Sequence, residues 1–219
     1  EIARLDIRVG DTVVVEKGGE VIPKVNGPVL SRRPASAAPS MPPLRCPMCG
    51  TETVRAEGEV AYRCPNATCP ARLRESLRHF ARRDALDIEG LGPALIDQLV
   101  ERGLVKDLAD LYRLDAAVLS DLDRMGTKSA ETLVAQLAAS RERPFSRLLY
   151  GLGIRHVGER AARVIARHVS GLKALAAHAA SDNAAEFFET MPDLGPETAH
   201  SLISFFTSQA GSELVDRLA

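Results

Sequence analysis

The amino-acid sequence predicts a mainly α-helical protein that opens with a small β element and a four-cysteine ribbon. Three observations predict this fold class: β-branched runs occur before residue 31, all cysteines lie between residues 46 and 69, and helical periodicity without an evident strand follows. The 219 residues are 45% hydrophobic and 26% charged, as in ordinary globular proteins. No apolar run approaches the ~20 residues that cross a bilayer, so we expect no membrane segment.

The segment before residue 31 predicts two strands joined by a hairpin. Its β-branched runs are interrupted by Gly-Asp at 10–11 and Gly-Gly at 18–19, where tight turns are favoured. Two or three strands do not form a stable barrel or sandwich, so we expect the rest of this sheet to precede residue 1. The chain begins with Glu and shows no secretory signal, which also indicates a start inside a longer protein. Residues 31–45 place prolines among Ser and Ala and predict an extended linker.

The four cysteines form two short-spaced pairs, Cys46-x2-Cys49 and Cys64-x4-Cys69, separated by fourteen residues. Two such pairs on either side of a ribbon, here residues 54–62, can meet at one tetrahedral ion, and four thiolates suit structural Zn²⁺. Because protein ligands fill all four positions, we expect one structural zinc with no open coordination site. The alternative is a pair of disulfides or buried thiols, which these spacings suit less well.

Four copies of one short phrase mark the helical part. Each copy has an apolar residue, two variable residues, a second apolar residue and a glycine, and a helix rich in small residues follows. The final glycines are 34, 32 and 37 residues apart, so we expect repeated helix–turn–helix units that stack on one another. The phrases are Ile88–Gly92, Leu122–Gly126, Ile154–Gly158 and Met191–Gly195.

A glycine turn between two helices leaves backbone N–H groups unpaired at the start of the second helix. These donors bind phosphate oxygens without reading a base sequence. The charge distribution supports such a partner: although the net charge is −1, residues 24–83 carry eleven basic and four acidic residues, and residues 124–168 carry nine and three. We therefore expect the turns to contact a nucleic-acid backbone. Any single turn of this form is also compatible with ordinary helix packing.

The copies differ in the residues that would face a phosphate. Lys128 and Arg160 stand two residues past the final glycine of copies two and three, inside a basic block. Copy four carries Asp193 and Glu197, which repel phosphate. We predict that copies two and three are the main contacts, that copy one contributes backbone amides, and that copy four mainly packs. The predicted contact residues of the turns are Gly90, Gly92, Gly126, Lys128, Gly158 and Arg160.

The order of these parts resembles the middle to C-terminal part of the bacterial NAD⁺-dependent DNA ligases. DIRVGDTVVVEKGGEVIPKV is similar to the family's oligonucleotide-binding (OB) barrel, CPMCG with CPNATCPA to its zinc finger, and LRHFARRDALDIEGLGPALIDQLVERG and GIRHVGERAA to its hairpin repeats. The resemblance covers essentially the whole chain. It implies the end of an OB-fold at 1–30, the linker at 31–45, a four-cysteine zinc finger at 46–70 and a helix-hairpin-helix domain with four repeats at 71–219.

The resemblance implies a role in joining nicked duplex DNA during replication and repair. In that family a lysine of a Lys-x-Asp-Gly motif takes AMP from NAD⁺, the AMP passes to the 5′-phosphate of the nick, and the 3′-hydroxyl displaces it. No lysine of this chain is followed by that pattern, so we assign no catalytic residue and expect the chain alone to clamp DNA without ligating it. NAD⁺ and Mg²⁺ would act through further ligase domains in cis.

The same resemblance implies further DNA contacts in the strand pair. Lys17 corresponds to a phosphate contact, and Val21 and Ile22 correspond to apolar residues that press into the minor groove beside the nick. The family's Gly-Asp-Val-Ile-Pro motif stands here as Gly-Glu-Val-Ile-Pro. From the residues alone, Val21 and Ile22 are equally compatible with strand core. We expect a monomer of the bacterial cytoplasm, at the nucleoid, whose partner is nicked double-stranded DNA.

Two other functions are compatible with the same parts. A stand-alone DNA-binding accessory protein would also use a zinc ribbon and hairpin repeats, but it would begin before its first strand. A structural scaffold would use the zinc and the hairpins for protein contacts. The basic blocks at 24–83 and 124–168 argue against the scaffold, because protein contacts do not require concentrated arginine.

Overall fold

A computed structural model describes residues 1–19, 21–56, 58–66 and 68–219. Glu20 of the Gly-Glu-Val-Ile-Pro motif, Glu57 of the predicted ribbon and Ala67 between the second pair of cysteines lie outside the described residues. The chain divides into two compact units, Glu1–Pro65 and Asn66–Ala219. In the described ranges, two strands lie in the first unit and ten α-helices in the second, which confirms the predicted mainly helical class.

The strand pair forms at the predicted place. Strands β1 (Val13–Gly18) and β2 (Ile22–Pro28) are antiparallel. Gly19, in the turn, has a φ of +72°, a left-handed conformation that glycine adopts without a steric penalty. Val14 and Val15 pair with Gly27 and Val25, so the extra residue of a bulge, Asn26, lies in β2. The Gly pair therefore sets the hairpin, as the sequence predicts.

Arg33 holds the start of the predicted linker against the first segment. Its guanidinium donates hydrogen bonds to the carboxylates of Asp6 (2.7 Å) and Asp11 (2.9 Å), and the Asp11 side chain is 1% exposed. These bonds from Arg33 hold the pKa of both carboxyls below its usual range. Pro39 also pairs with Arg8 in an isolated antiparallel bridge. The chain through Pro39 thus packs on residues that precede β1, whereas its composition alone predicts an extended connection.

The second unit is a series of short helices joined by tight turns. Three of them begin with proline in the first turn, where the missing amide hydrogen would have no helical partner. No helix in the part of the chain that the structure describes is long and apolar enough to span a bilayer. The helices are α1 (Pro70–Ala81), α2 (Pro93–Glu101), α3 (Ala116–Ser120), α4 (Thr127–Ser140), α5 (Phe145–Gly151), α6 (Glu159–His168), α7 (Leu172–Ala179), α8 (Ala184–Glu189), α9 (Pro196–Thr207) and α10 (Gln209–Leu218).

One hydrophobic core runs through the second unit, from Leu77 to Val215. It contains apolar residues of every repeat, which agrees with the expectation that the copies stack to bury their apolar faces. Helix α5 approaches the core most closely at Gly151, where a β carbon would lie 2.6 Å from Leu86 and 3.2 Å from Phe80. Only glycine permits this approach without displacing the buried side chains.

Charged side chains tie α10 to a 3₁₀ helix, Leu108–Arg113, that follows the first repeat. Arg217 Nη2 lies 2.6 Å from Asp110 Oδ1, and the same guanidinium also pairs with Asp107. Burial alone raises the pKa of Asp110, but the Lys106 amide and the Arg217 guanidinium stabilise its charged form, and the net pKa is lowered. This ion-pair network links the last helix to the first half of the unit.

Candidate metal centre and nucleic-acid interface

The sulfur atoms of the four predicted zinc ligands come together at one point. All four Sγ atoms lie within 4.8 Å of one another, and those of Cys49 and Cys64 are 3.5 Å apart. A tetrahedral zinc with Zn–S bonds of about 2.3 Å holds its sulfurs about 3.8 Å apart, so the arrangement fits this ion. No disulfide joins the cysteines, so the disulfide alternative is not what the structure shows. The four candidate ligands are Cys46, Cys49, Cys64 and Cys69.

Local backbone structure presents these sulfurs. The Gly50 amide donates to the Cys46 carbonyl at 2.8 Å, and the Cys46 amide donates to the Thr51 carbonyl at 2.8 Å. Gly50, directly after Cys49, has a φ of +70° and closes the turn that contains the first two cysteines. Further along, Val54 and Arg63 form an antiparallel bridge with two 2.8 Å hydrogen bonds. A knuckle and a short ribbon therefore precede the second pair of cysteines.

The four repeats share one backbone geometry although their residues differ. The residue two positions before the final glycine has a left-handed φ in every copy, although the β carbon of the three non-glycine residues disfavours it. These residues are Gly90 (+89°), Arg124 (+62°), His156 (+62°) and Asp193 (+65°). The final glycine is in each case the N-cap of the next helix, namely Gly92 for α2, Gly126 for α4, Gly158 for α6 and Gly195 for α9. The repeats are thus four copies of the same hairpin.

Packing within the chain does not require glycine at the four N-cap positions. Their φ angles lie between −78° and −97°, which any residue adopts, and a β carbon on any of them would meet no described atom within 4 Å. None of the four helices has a side-chain cap hydrogen bond. The absent side chain leaves room for a group outside the protein. Open amides at a helix N-terminus favour an anionic one.

Hydrogen bonds of Gln98 and an ion pair between Arg102 and Asp123, with 3.4 Å between Nη2 and Oδ1, join the first two hairpins. Gln98 Nε2 donates to the Asp123 carbonyl at 3.2 Å, and the Asp123 amide donates to Gln98 Oε1 at 2.8 Å. Arg124 and Lys128, at the second hairpin, are exposed, and neither forms an ion pair with a described residue. Both cations are therefore available to an external anion.

An ion pair joins the last two hairpins. Arg160 Nη2 lies 2.8 Å from Asp193 Oδ2, and the two side chains are 81% and 47% exposed. Thr198 Oγ1 is also 3.4 Å from the His156 carbonyl oxygen. Arg160, which the sequence assigns to a phosphate contact, already has a carboxylate partner in the structure.

The tip of the β hairpin presents apolar side chains to solvent. Val21 is 82% exposed, Ile22 is 72% exposed, and Lys17 on β1 is also exposed. The structure gives the two apolar residues no strand core among the described residues. Val14 and Val15 of β1 are exposed as well, so the strand pair presents several apolar side chains to solvent.

Counting charges along the sequence misjudges which cations are available. Arg147, within the second basic block, donates to the backbone carbonyls of Arg83 and Ala85, and Arg143 pairs with Asp87 at 2.8 Å. Arg124, in contrast, stands out as an unpaired cation among the described residues, whereas the sequence pattern marks it only as a departure from the double glycine. The signal for it was its place in the same basic block, four residues before Lys128.

Family models match the chain part by part. They are the NAD-dependent DNA ligase OB-fold domain over residues 1–37, the NAD-dependent DNA ligase C4 zinc finger domain over 45–71, a SAM-like helix-hairpin-helix tandem over 82–139 and a helix-hairpin-helix motif over 147–215. With the structure, these matches define a modular protein of OB-fold strands, a C4 zinc finger and two hairpin tandems. The matches over residues 1–37 and 45–71 assign these parts to domain families of the NAD-dependent DNA ligases.

Curated relatives agree with this assignment. The chain is 49% identical over 220 residues to a DNA ligase of Synechococcus sp. (strain WH7803) and 46% identical over 217 residues to one of Pelotomaculum thermopropionicum. It is also 46% identical over 219 residues to a DNA ligase of Pelodictyon phaeoclathratiforme. These alignments cover 99–100% of this chain and 31–32% of each relative, so the chain spans about a third of their length.

Proposed function

We propose that this chain grips duplex DNA for an NAD⁺-dependent DNA ligase that joins nicks in replication and repair. The observation that carries the proposal is the hairpin that recurs four times, with a left-handed residue, a glycine N-cap and open amides. Such a turn contacts backbone phosphates rather than base edges, so binding is independent of sequence. Matches to two ligase-specific domain families support a ligase over a stand-alone accessory protein.

The two tandems contribute unequally to the proposed grip. Arg124 and Lys128 have no ion-pair partner among the described residues, and they flank the Gly126 N-cap, so the second repeat combines open amides with two available cations. The first repeat contributes amides, and the third contributes amides and Arg160 once its ion pair opens. The proposed contacts of the hairpins are Gly90, Gly92, Gly126, Lys128, Gly158 and Arg160, joined by Arg124.

In the same proposal, the β hairpin meets DNA beside the nick. The exposed Val21 and Ile22 act as an apolar wedge in the minor groove, and Lys17 contacts a phosphate. A widened groove at the nick helps to align the 3′-hydroxyl with the 5′-phosphate. The zinc has a structural role, because four thiolates leave no coordination site for water or substrate.

Ligation itself requires groups that this chain does not supply. No lysine of the sequence is followed by x-Asp-Gly, so no residue here accepts AMP in the family's manner. We assign adenylation, with NAD⁺ and Mg²⁺, to further ligase domains in cis, and we expect the chain alone to bind nicked duplex without sealing it. In this proposal the protein acts as a monomer at the nucleoid of the bacterial cytoplasm.

Duplex binding across a salt series tests the proposal. We expect tight, sequence-independent binding that favours a nick and weakens with salt, with a logarithmic slope of about −0.9 per phosphate contact. Gly126→Ala places a methyl group where the phosphate approaches, so it should lower duplex affinity. Gly195→Ala, the matched change in the fourth repeat, should lower affinity less. Both variants lose an N-cap glycine and should be destabilised similarly, by about 1 kcal/mol or less.

Two outcomes would contradict different parts of the proposal. Equal losses of affinity at Gly126 and Gly195 would contradict the unequal roles of the repeats. If the wild-type chain kept its helical circular dichroism but did not bind duplex at low salt, DNA gripping itself would be wrong.

A further inference from the structure

We infer that Asp193 is an internal competitor for the DNA phosphate, so that the third repeat binds duplex through Arg160 only when the Arg160–Asp193 ion pair opens. The inference rests on the proposed function, because it concerns the phosphate contact of that repeat. It means that a residue of the fourth repeat, Asp193, sets the affinity of the third repeat for duplex DNA. A repeat that carries acidic residues thereby acquires a regulatory role beyond packing.

The geometry places the carboxylate where a phosphate would bind. Arg160 is the second residue of α6, directly after the open Gly158 N-cap, and its Nη2 lies 2.8 Å from Asp193 Oδ2. A guanidinium donates to carboxylate and phosphate oxygens in the same way, so the two anions compete for one donor group. The Arg160 side chain is 81% exposed, which leaves it accessible to DNA after it releases Asp193.

The first tandem has the same turn geometry but neither member of this ion pair at the corresponding positions. The residue that corresponds to Asp193 in the second repeat is Arg124, and both have left-handed φ angles, +65° and +62°. The residue that corresponds to Arg160 in the first repeat is Ala94. The turn geometry is therefore common to both tandems, and the carboxylate is specific to the second.

Other groups near Arg160 do not replace this interaction. Glu159, beside it in the first turn of α6, pairs with Arg163 one helical turn later. Glu197 lies in the first turn of α9 and forms no ion pair with a described residue. Asp193 is thus the carboxylate that directly holds the Arg160 guanidinium in the described structure.

Asp193→Asn in the 219-residue, zinc-loaded chain tests the inference. Asparagine tolerates the left-handed backbone, so the turn is retained. Because opening an exposed ion pair has only a small free-energy cost, we expect duplex affinity to rise about twofold. The salt dependence should steepen by about 0.9, as one more phosphate contact forms. Asp182→Asn is the matched control, since Asp182 is exposed, has no ion-pair partner in the described residues and loses the same charge.

A double-mutant cycle separates competition from a general gain in positive charge. With Arg160→Gln in the background, Asp193→Asn should change affinity no more than Asp182→Asn does. The inference is overturned if Asp193→Asn and Asp182→Asn have equal effects in the wild-type background, or if the gain persists without Arg160. Loss of duplex binding in the wild type and every variant would instead contradict the proposed function, so the two failures are distinguishable.

Discussion

The two hairpin tandems, residues 82–139 and 147–215, share a turn but differ in what joins their hairpins. In the first, Gln98 makes two hydrogen bonds to the Asp123 backbone and Arg102 pairs with the Asp123 carboxylate at 3.4 Å, while Arg124 and Lys128 stay unpaired among the described residues. In the second, an ion pair between Arg160 and Asp193 makes the connection and occupies a cation. The difference teaches that a hairpin motif by itself does not measure DNA affinity. The groups that hold two hairpins together decide which charges remain for phosphate.

The largest expected effect comes from removing the ion pair of Arg217 with Asp110, which connects the two tandems. Asp110→Asn removes the charged partner of Arg217, whose side chain joins α10 of the second tandem to the first. Hydrogen bonds to charged groups contribute about 1.5–3 kcal/mol, so we expect a loss of that size in the free energy of unfolding at pH 7, measured by urea denaturation. Asp182→Asn should leave it unchanged. Equal stability of the Asp110→Asn and Asp182→Asn variants would show that the tandems do not depend on this network.

The same substitution predicts a pH dependence with a definite sign. The folded-state pKa of Asp110 is lowered, so its contribution to stability is present above the unfolded-state pKa and is lost as pH falls through the lower folded-state value. The difference in unfolding free energy between wild type and Asp110→Asn should therefore be complete at pH 7 and shrink below about pH 4. A difference that grows on acidification would contradict the assigned charge state.

Charge reversal in each tandem tests the comparison directly. Lys128→Glu removes an unpaired cation and should lower duplex affinity about tenfold, the size of one charge-assisted bond. Arg160→Glu removes a cation that Asp193 already neutralises in part, so its loss should be several-fold smaller at the same salt concentration. Titration of a labelled nicked duplex measures both. A larger loss at Arg160 than at Lys128 would reverse the ranking of the tandems.

The smallest expected effects are on stability, at the junctions, that is, the contacts that join the two hairpins within each tandem. Gln98→Leu deletes both hydrogen bonds to Asp123 and should lower the free energy of unfolding by about 1 kcal/mol. Asp193→Asn deletes an exposed ion pair and should cost about 0.5 kcal/mol or less. Urea denaturation of the two variants compares the junctions. If Asp193→Asn lowered the free energy of unfolding more than Gln98→Leu did, the Arg160–Asp193 ion pair would mainly stabilise the fold. Competition with phosphate would then not be its main role.

The features that depend on residues close together along the chain could be predicted from the sequence. The spacing of Cys46, Cys49, Cys64 and Cys69 predicts the metal centre, because short knuckles bring each pair of sulfurs together locally. The repeated glycine predicts the four hairpins, because each turn is closed by backbone geometry within five residues. The Gly pair at 18–19 predicts the β hairpin for the same reason.

Only the tertiary structure decided which charges those parts leave available. Arg160 and Asp193 are 33 residues apart, and Arg33 reaches back 22 residues to Asp11, so no local pattern pairs them. Arg124 has no ion-pair partner among the described residues although Asp123 precedes it directly, because that carboxylate pairs with Arg102, 21 residues earlier. Ion pairs form between side chains that packing brings within about 4 Å, whatever their separation along the chain. Local sequence therefore specifies the hairpins, and the packing of one hairpin against another specifies their charge.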